Sequence, residues 1–168
     1  MKKILLIGTG GTIASKQTGG GLTPGMEAQE ILEYVPEMAK ICEMDVLQLC
    51  NIDSTNMEPE VWTKLVLAIK ENYDKYEGFV ILHGTDTMAY TSAALSYMVQ
   101  NSRKPIVITG AQQPIDTDGT DAKVNLRDSI IYACDDYSEN VVLVFDGNVI
   151  AGTRAKKMRA RSFNAFHS

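Results

Sequence analysis

The side chains best suited to chemistry in this 168-residue chain are hydroxyls, accompanied by one carboxylate and one lysine able to move their protons. Thr85 and Asp86 stand where the apolar run Phe79-Val-Ile-Leu-His83 stops and a helical pattern begins. In such a turn the free N–H groups and the positive end of the helix dipole hold an oxyanion or an anionic ligand. Thr and Asp are also preferred N-cap residues, so the turn by itself reads first as a helix cap. Thr12 follows Gly10-Gly11, a turn bare enough for a substrate carbonyl to approach. Its hydroxyl is a candidate nucleophile if a base and an oxyanion hole are supplied, and otherwise an ordinary turn residue. Lys157 closes the stretch Gly152-Thr-Arg-Ala-Lys-Lys157. Beside Asp86 it makes either a structural ion pair or, with its pKa lowered by burial from about 10.4 toward neutrality, a base for Thr85 in a Thr-Lys-Asp relay.

These groups meet only if the elements between them bring them to one edge. Short β-rich runs alternate with longer helical patterns, and Gly, Pro, Asn or Asp marks each join, which is the rhythm of βαβ units. The expected strands are Lys3 to Ile7, Met44 to Cys50, Phe79 to His83, Pro105 to Thr109 and Val141 to Phe145, apolar on successive residues as parallel strands covered on both faces should be. Expected helices run from Glu27 to Val35, from Pro59 with Val61, Leu65 and Ile69 on one face, from Thr87 with Met88, Thr91, Ala94, Leu95 and Met98, and from Asp121 to Asp135. The fold class is therefore α/β: a doubly wound, mostly parallel sheet with helices on both faces, in three layers. In such a sheet the loops that follow the strands crowd one edge, and ligands bind there. Those loops carry Gly8 to Ser15, Asn51 to Asn56 with Ser54 and Thr55, Thr85-Asp86, and Gly110-Ala111-Gln112, so hydroxyls converge from several of them.

Composition narrows the partners. With 45% hydrophobic and 22% charged residues and a net charge of -5, the chain reads as one acidic soluble domain with no basic patch for nucleic acid or an anionic membrane. Cys42, Cys50 and Cys134 lack Cys-x-x-Cys spacing, which favours a reducing cytosol and core positions over a zinc site. The apolar start is too short for a signal peptide, and no apolar run approaches the roughly 18 residues of a membrane span, so a cytoplasmic protein without an anchor is expected. Gly8-x-Gly10 after a strand tempts a dinucleotide reading, but Ile13 occupies the sixth position of that fingerprint. Lys16 to Gly25, rich in glycine, reads as a mobile flap instead.

Thr9-Gly10-Gly11-Thr12-Ile13-Ala14, His83-Gly84-Thr85-Asp86-Thr87-Met88 and Gly152-x-Arg154-x-x-Lys157 resemble the motifs of bacterial-type L-asparaginases, particularly the cytoplasmic type I branch. Asn51-Ile-x-Ser54 and Thr109-Gly110-Ala111 lie between them in the same order. The resemblance implies hydrolysis of L-asparagine to L-aspartate and ammonia, with Thr12 as the nucleophile on the side-chain amide and Thr85, Lys157 and Asp86 as a second triad. It implies that Ser54 and Asp86 grip the substrate's α-carboxylate and α-amino groups with Thr55 beside them, that Ala111 contacts the amide through its backbone, and that no cofactor or metal takes part. It also implies a homodimer or homotetramer at full length.

Two departures accompany the resemblance. The family's flap supplies a tyrosine that activates the nucleophile, and the matching position here is Leu22, with Tyr34 the nearest phenol in sequence. Ala165-Phe166-His167-Ser168 resembles the middle of a family segment that leads into a smaller C-terminal α/β domain. Residues 1–168 are thus expected to be the N-terminal domain, with the C-terminal domain absent from this chain and a partner subunit's copy completing each site. Alternatives of different kinds are an asparaginase-like amidotransferase subunit that releases ammonia for tRNA-linked glutamate, and a non-catalytic module that binds an amino acid or a nucleotide. The resemblance implies an N-terminal extension in the amidotransferase, and Met1-Lys2-Lys3 offers none.

Overall fold

A computed structural model describes residues 1–18 and 21–168. The chain runs β1 (Lys2–Gly10), a 3-10 turn at Thr12–Ala14, β2 (Ser15–Thr18), β3 (Gly21–Pro24), α1 (Ala28–Leu32), a 3-10 turn at Pro36–Lys40 and β4 (Cys42–Ile52). A short turn at Ser54–Asn56 leads to α2 (Pro59–Asn72), β5 (Gly78–Leu82), α3 (Met88–Met98), β6 (Ile106–Thr109), α4 (Ala122–Cys134), β7 (Val141–Phe145), β8 (Asn148–Ala151), β9 (Lys156–Lys157) and β10 (Phe166–His167). Six strands form the main sheet in the order β4-β1-β5-β6-β7-β8, all parallel except the β7–β8 pair.

Strand side chains alternate between two faces, and the core divides accordingly. Ile4, Leu6, Val80, Leu82 and Val107 pack with Ile31 of α1 and Leu126 and Ile130 of α4. Leu5, Ile7, Phe79, Ile81, Ile106 and Ile108 pack on the other face with Leu65 and Ile69 of α2 and Met88 and Leu95 of α3. Both faces of the central strands are covered, which is why their sequences are continuously apolar, and the expected three-layer α/β architecture is what forms.

Several expected boundaries move. β1 runs past Ile7 to Gly10, so the first glycines belong to the strand end. The helix expected from Glu27 to Val35 is only Ala28–Leu32; Glu27 is its N-cap in a capping box with Glu30, and Pro36 starts a 3-10 turn instead of extending it. The stripe on α3 ends early, because Met98 is 44% exposed. The antiparallel edge strand β8 went unforeseen: its residues alternate only weakly, and three of the four face solvent. Within residues 16–25, Ser15–Thr18 pairs antiparallel with Gly21–Pro24, so the expected flap is a two-stranded hairpin over its described part. Cys42 is buried and Cys50 and Cys134 half-buried, all three as free thiols.

From β1 the chain crosses to β4 on one side, then returns past β1 to β5 on the other. The order therefore reverses between β1 and β5, and the crevice at their C-terminal ends is where a parallel sheet opens to a ligand.

Candidate active site

That crevice holds a cavity of about 260 Å³, lined by Thr12 after β1, Asp53 and Ser54 after β4, Thr85 and Asp86 after β5, Gln112 after β6, and Lys157 of β9. Its size falls below the roughly 300–1,000 Å³ of drug-sized sites, and its lining is polar, which suits a small, highly functionalised molecule.

The loops meet because glycine lets them. Gly11 has φ +83°, a left-handed conformation, and its N–H donates to Ile52 O at 3.0 Å. A Cβ there would lie 2.4 Å from Gly84 N, so a side chain would force the first and third loops apart. Thr12 then begins the 3-10 turn that carries it into the cavity.

Lys157 Nζ donates to Thr85 Oγ1 and to Asp86 Oδ1, each at 2.8 Å. The lysine side chain is 16% exposed and the aspartate 60%, so the ammonium is held inside while its counter-charge stays wet. Thr85 Oγ1 donates in turn to Gln112 Oε1 at 3.1 Å, and Gln112 Nε2 donates to Ala160 O and Ser162 O at 3.2 and 3.1 Å. The polarity of this chain matters: a protonated Lys157 gives its hydrogen to Thr85, and Thr85 points its own at Gln112.

The cap reading of the turn does not hold. Thr87 occupies the N-cap of α3, and its Oγ1 donates to Ser54 O at 2.7 Å, tying the third loop to the second. Thr85 and Asp86 are thereby free for the cavity. Behind them His83 is fully buried, with Nδ1 2.7 Å from Gly84 O and Nε2 2.8 Å from Thr91 Oγ1, which also receives Trp62 Nε1–H at 2.9 Å. A carbonyl only accepts, so Nδ1 carries the hydrogen and Nε2 receives that of Thr91. Burial lowers the His83 pKa to about 4 and keeps the ring neutral.

Of the residues anticipated from sequence, Thr12, Ser54, Thr85, Asp86 and Lys157 line one cavity. Thr55 and Ala111 do not. Thr55 is exposed, and its N–H and Oγ1 both donate to Asp53 Oδ1 at 2.8 Å. Ala111 is fully buried behind the wall that its neighbour Gln112 forms. Leu22's side chain lies outside the described residues, and Tyr34 is not among the groups lining the cavity. Gln112, Asp53 and Ser15 also line it. For Gln112 the signal was its place directly after a strand on the crowded edge. Among the described residues no group of three or more His, Cys, Asp or Glu could hold a metal ion, and no helix is long and apolar enough to cross a membrane.

The family model for the asparaginase N-terminal part matches residues 3–168. The L-asparaginase of Thermococcus kodakarensis is 41% identical over 170 residues, an alignment that takes in 99% of this chain and 51% of that protein. A glutamyl-tRNA(Gln) amidotransferase polypeptide of Sulfolobus acidocaldarius is 39% identical over 176 residues, covering 99% of this chain and 40% of that polypeptide. The crystal structure of L-asparaginase I from Vibrio cholerae superposes with a TM-score of 0.91 at 36% identity, over 99% of this chain and 51% of that one. The chain thus spans about half the length of the asparaginases it matches.

Proposed function

Because the chain belongs to the asparaginase family, we propose that its cavity hydrolyses the side-chain amide of L-asparagine to L-aspartate and ammonia. The contact of Lys157 Nζ with both Thr85 Oγ1 and Asp86 Oδ1 at 2.8 Å carries the reading. Thr12 Oγ1 attacks the amide carbon, its proton passes to the leaving nitrogen, and ammonia departs from an ester on Thr12. A water activated through the Thr85–Lys157 contact then attacks that ester, its proton returns to Thr12 Oγ1, and aspartate is released. Asp86 keeps the lysine in place and, with Ser54, receives the charged α-groups of the substrate; Thr55 supports them through Asp53, and Ala111 offers backbone to the amide.

In this reading residues 1–168 are the N-terminal domain of a cytoplasmic homodimer or homotetramer, and a second domain from a partner subunit completes each cavity. Such a site open on one wall orients the substrate poorly, and orientation is worth effective molarities of roughly 10⁵ M or more. The test is ammonia release from asparagine by this chain alone and after mixing with a separately expressed C-terminal half of an asparaginase. Little activity alone and rescue on mixing are expected; full activity alone would overturn the composite site. The likeness to the amidotransferase favours a second reading, in which the ammonia is handed on for tRNA-linked glutamate. Thermal shifts with aspartate, NAD and FMN would separate both amidohydrolase readings from a nucleotide-binding module, since a ligand of the folded state raises the melting temperature.

A further inference from the structure

Resting on the asparaginase reading, we propose that Trp62 and Thr91 are positioning residues: through His83 they hold the peptide between Gly84 and Thr85, and with it the Thr85 hydroxyl, in place for Lys157. None of the three side chains lines the cavity. Thr91 of α3 and His83 are fully buried, and Trp62 of α2 is half-buried. The indole N–H of Trp62 donates to Thr91 Oγ1 at 2.9 Å, that hydroxyl donates to His83 Nε2 at 2.8 Å, and His83 Nδ1–H donates to Gly84 O at 2.7 Å. An indole N–H can only donate and a carbonyl can only accept, so the polarity of the chain is fixed at both ends. Burial keeps the ring neutral. For a neutral ring, a hydrogen on Nδ1 is the one arrangement that leaves every member paired.

What the chain grips is the joint between β5 and the loop that carries Thr85. The peptide before that joint is already wedged: His83 N donates to Thr109 O at 2.8 Å, and a Cβ on Gly11 or on Gly110 would overlap Gly84 N or His83 O. Gly84 stands so close to the second loop that a Cβ of its own would lie 2.5 Å from Ser54 Oγ. The loops after β1, β4 and β6 thus pack the peptide between His83 and Gly84 from several sides. The next peptide, between Gly84 and Thr85, is held differently. Among the described residues its carbonyl accepts only from the His83 ring, so that ring sets the plane from which the Thr85 side chain leaves. A turn of this plane would carry Thr85 Oγ1 off Lys157 Nζ, 2.8 Å away, and off Gln112 Oε1, 3.1 Å away. Hydrogen bonds in a buried chain polarise one another, so loss of an outer member weakens the inner ones. Trp62 therefore acts on the turn without touching it.

A misplacement of about 1 Å at a reacting group costs on the order of 10²-fold in rate. In the active assembly, Thr91→Val is expected to lower kcat by roughly tenfold to a hundredfold and Trp62→Phe by roughly threefold to tenfold, with KM for asparagine within about threefold of wild type. Thr91→Ser, which keeps the hydroxyl, should retain most of the wild-type kcat. Thr91→Val added to Lys157→Met should cost little more than Lys157→Met alone, because both act through one contact. Variants that melt earlier but keep kcat within about twofold, or losses that add across that pair, would overturn the proposal. Should the Thr91 variants not fold, Trp62 itself decides, since it is the only tryptophan in the sequence and gives one indole N–H resonance. That resonance is expected to shift when Lys157→Met breaks the contact with Thr85, and an indole unmoved by the change would overturn the brace. A wild-type assembly that released no ammonia would defeat the asparaginase reading instead, leaving the indole resonance to judge the brace separately.

Discussion

Thr85 holds its hydroxyl between Lys157 Nζ at 2.8 Å and Gln112 Oε1 at 3.1 Å, whereas the hydroxyl of Thr12, in the same cavity, has no hydrogen-bond partner among the described residues. The difference follows from what stands behind each. The turn of Thr85 is braced by Thr87 on Ser54 O, by His83 on its own neighbour Gly84, and by a lysine brought in from β9. Thr12 starts a three-residue 3-10 turn that leads straight into the hairpin of β2 and β3. A proton-transfer group has to be oriented before the substrate arrives. The nucleophile proposed for Thr12 needs only to be close and unencumbered, and the bonded Thr85 and the unbonded Thr12 match the two roles proposed for them.

Substitutions that remove one hydroxyl at a time should break this contrast most strongly. Thr12→Val in the active assembly is expected to lower ammonia release by roughly 10³-fold or more, as loss of a nucleophile does. Thr85→Val and Lys157→Met should each cost roughly 10²–10⁴-fold, the range of a general acid–base group. Since Thr85 and Lys157 act through one contact, the double variant should be little worse than either single one. Lys156→Met should stay within a few-fold of wild type: neighbouring strand residues point to opposite sides, and Lys156 is exposed where Lys157 is not. Additive losses for Thr85 and Lys157, or a dead Lys156 variant, would sink the relay.

Sequence made the sheet legible because β1, β5, β6 and β7 are buried on both faces and leave an unbroken apolar signature. β8 left none, since its exposed residues are held mainly by one antiparallel neighbour. At the site, the hydroxyls, Asp86 and Lys157 were legible because their chemistry resides in the side chain and their loops follow strands. Asp121 and Asn125 were not, because their side chains hold backbone groups of the loop, Gln112 N, Gln113 N and Gly110 O, whose direction only the folded chain defines. His83 was read as the end of a strand; its role depends on Trp62 and Thr91, which approach from two different helices.

The braced side of the site should also respond to pH in a way the free side does not. Burial holds the His83 pKa at about 4, below the ordinary histidine value of about 6.5. The folded state therefore disfavours the charged ring: the stability this neutral histidine contributes is complete above pH 6.5 and is lost as pH falls toward 4. The gap corresponds to about 3 kcal/mol. Chemical denaturation at pH 7 and pH 4 should show a loss of that order beyond what His83→Asn shows, because the amide does not titrate. Nitrogen chemical shifts should place the hydrogen of His83 on Nδ1 at neutral pH. A hydrogen found on Nε2 instead would reverse the assigned chain from Trp62 through Thr91 to Gly84 O.

The smallest effect belongs to Thr55, whose neighbour Ser54 faces the cavity while its own hydroxyl is spent on Asp53 Oδ1 at 2.8 Å. Thr55→Val removes one of two bonds into that carboxylate oxygen and leaves the backbone N–H bond in place. A single bond of this kind is worth about 0.5–1.5 kcal/mol, or roughly a twofold to tenfold change in an equilibrium constant. Asp53 lines the cavity where the charged end of the substrate would sit, so the loss should appear as a raised KM for asparagine with kcat nearly unchanged. Ser54→Ala, which removes a hydroxyl from the cavity itself, should raise KM further. If Thr55→Val lowered kcat as much as Thr85→Val does, Thr55 would have to reach the reacting amide directly, and its hydrogen bond to Asp53 would have to break when substrate binds.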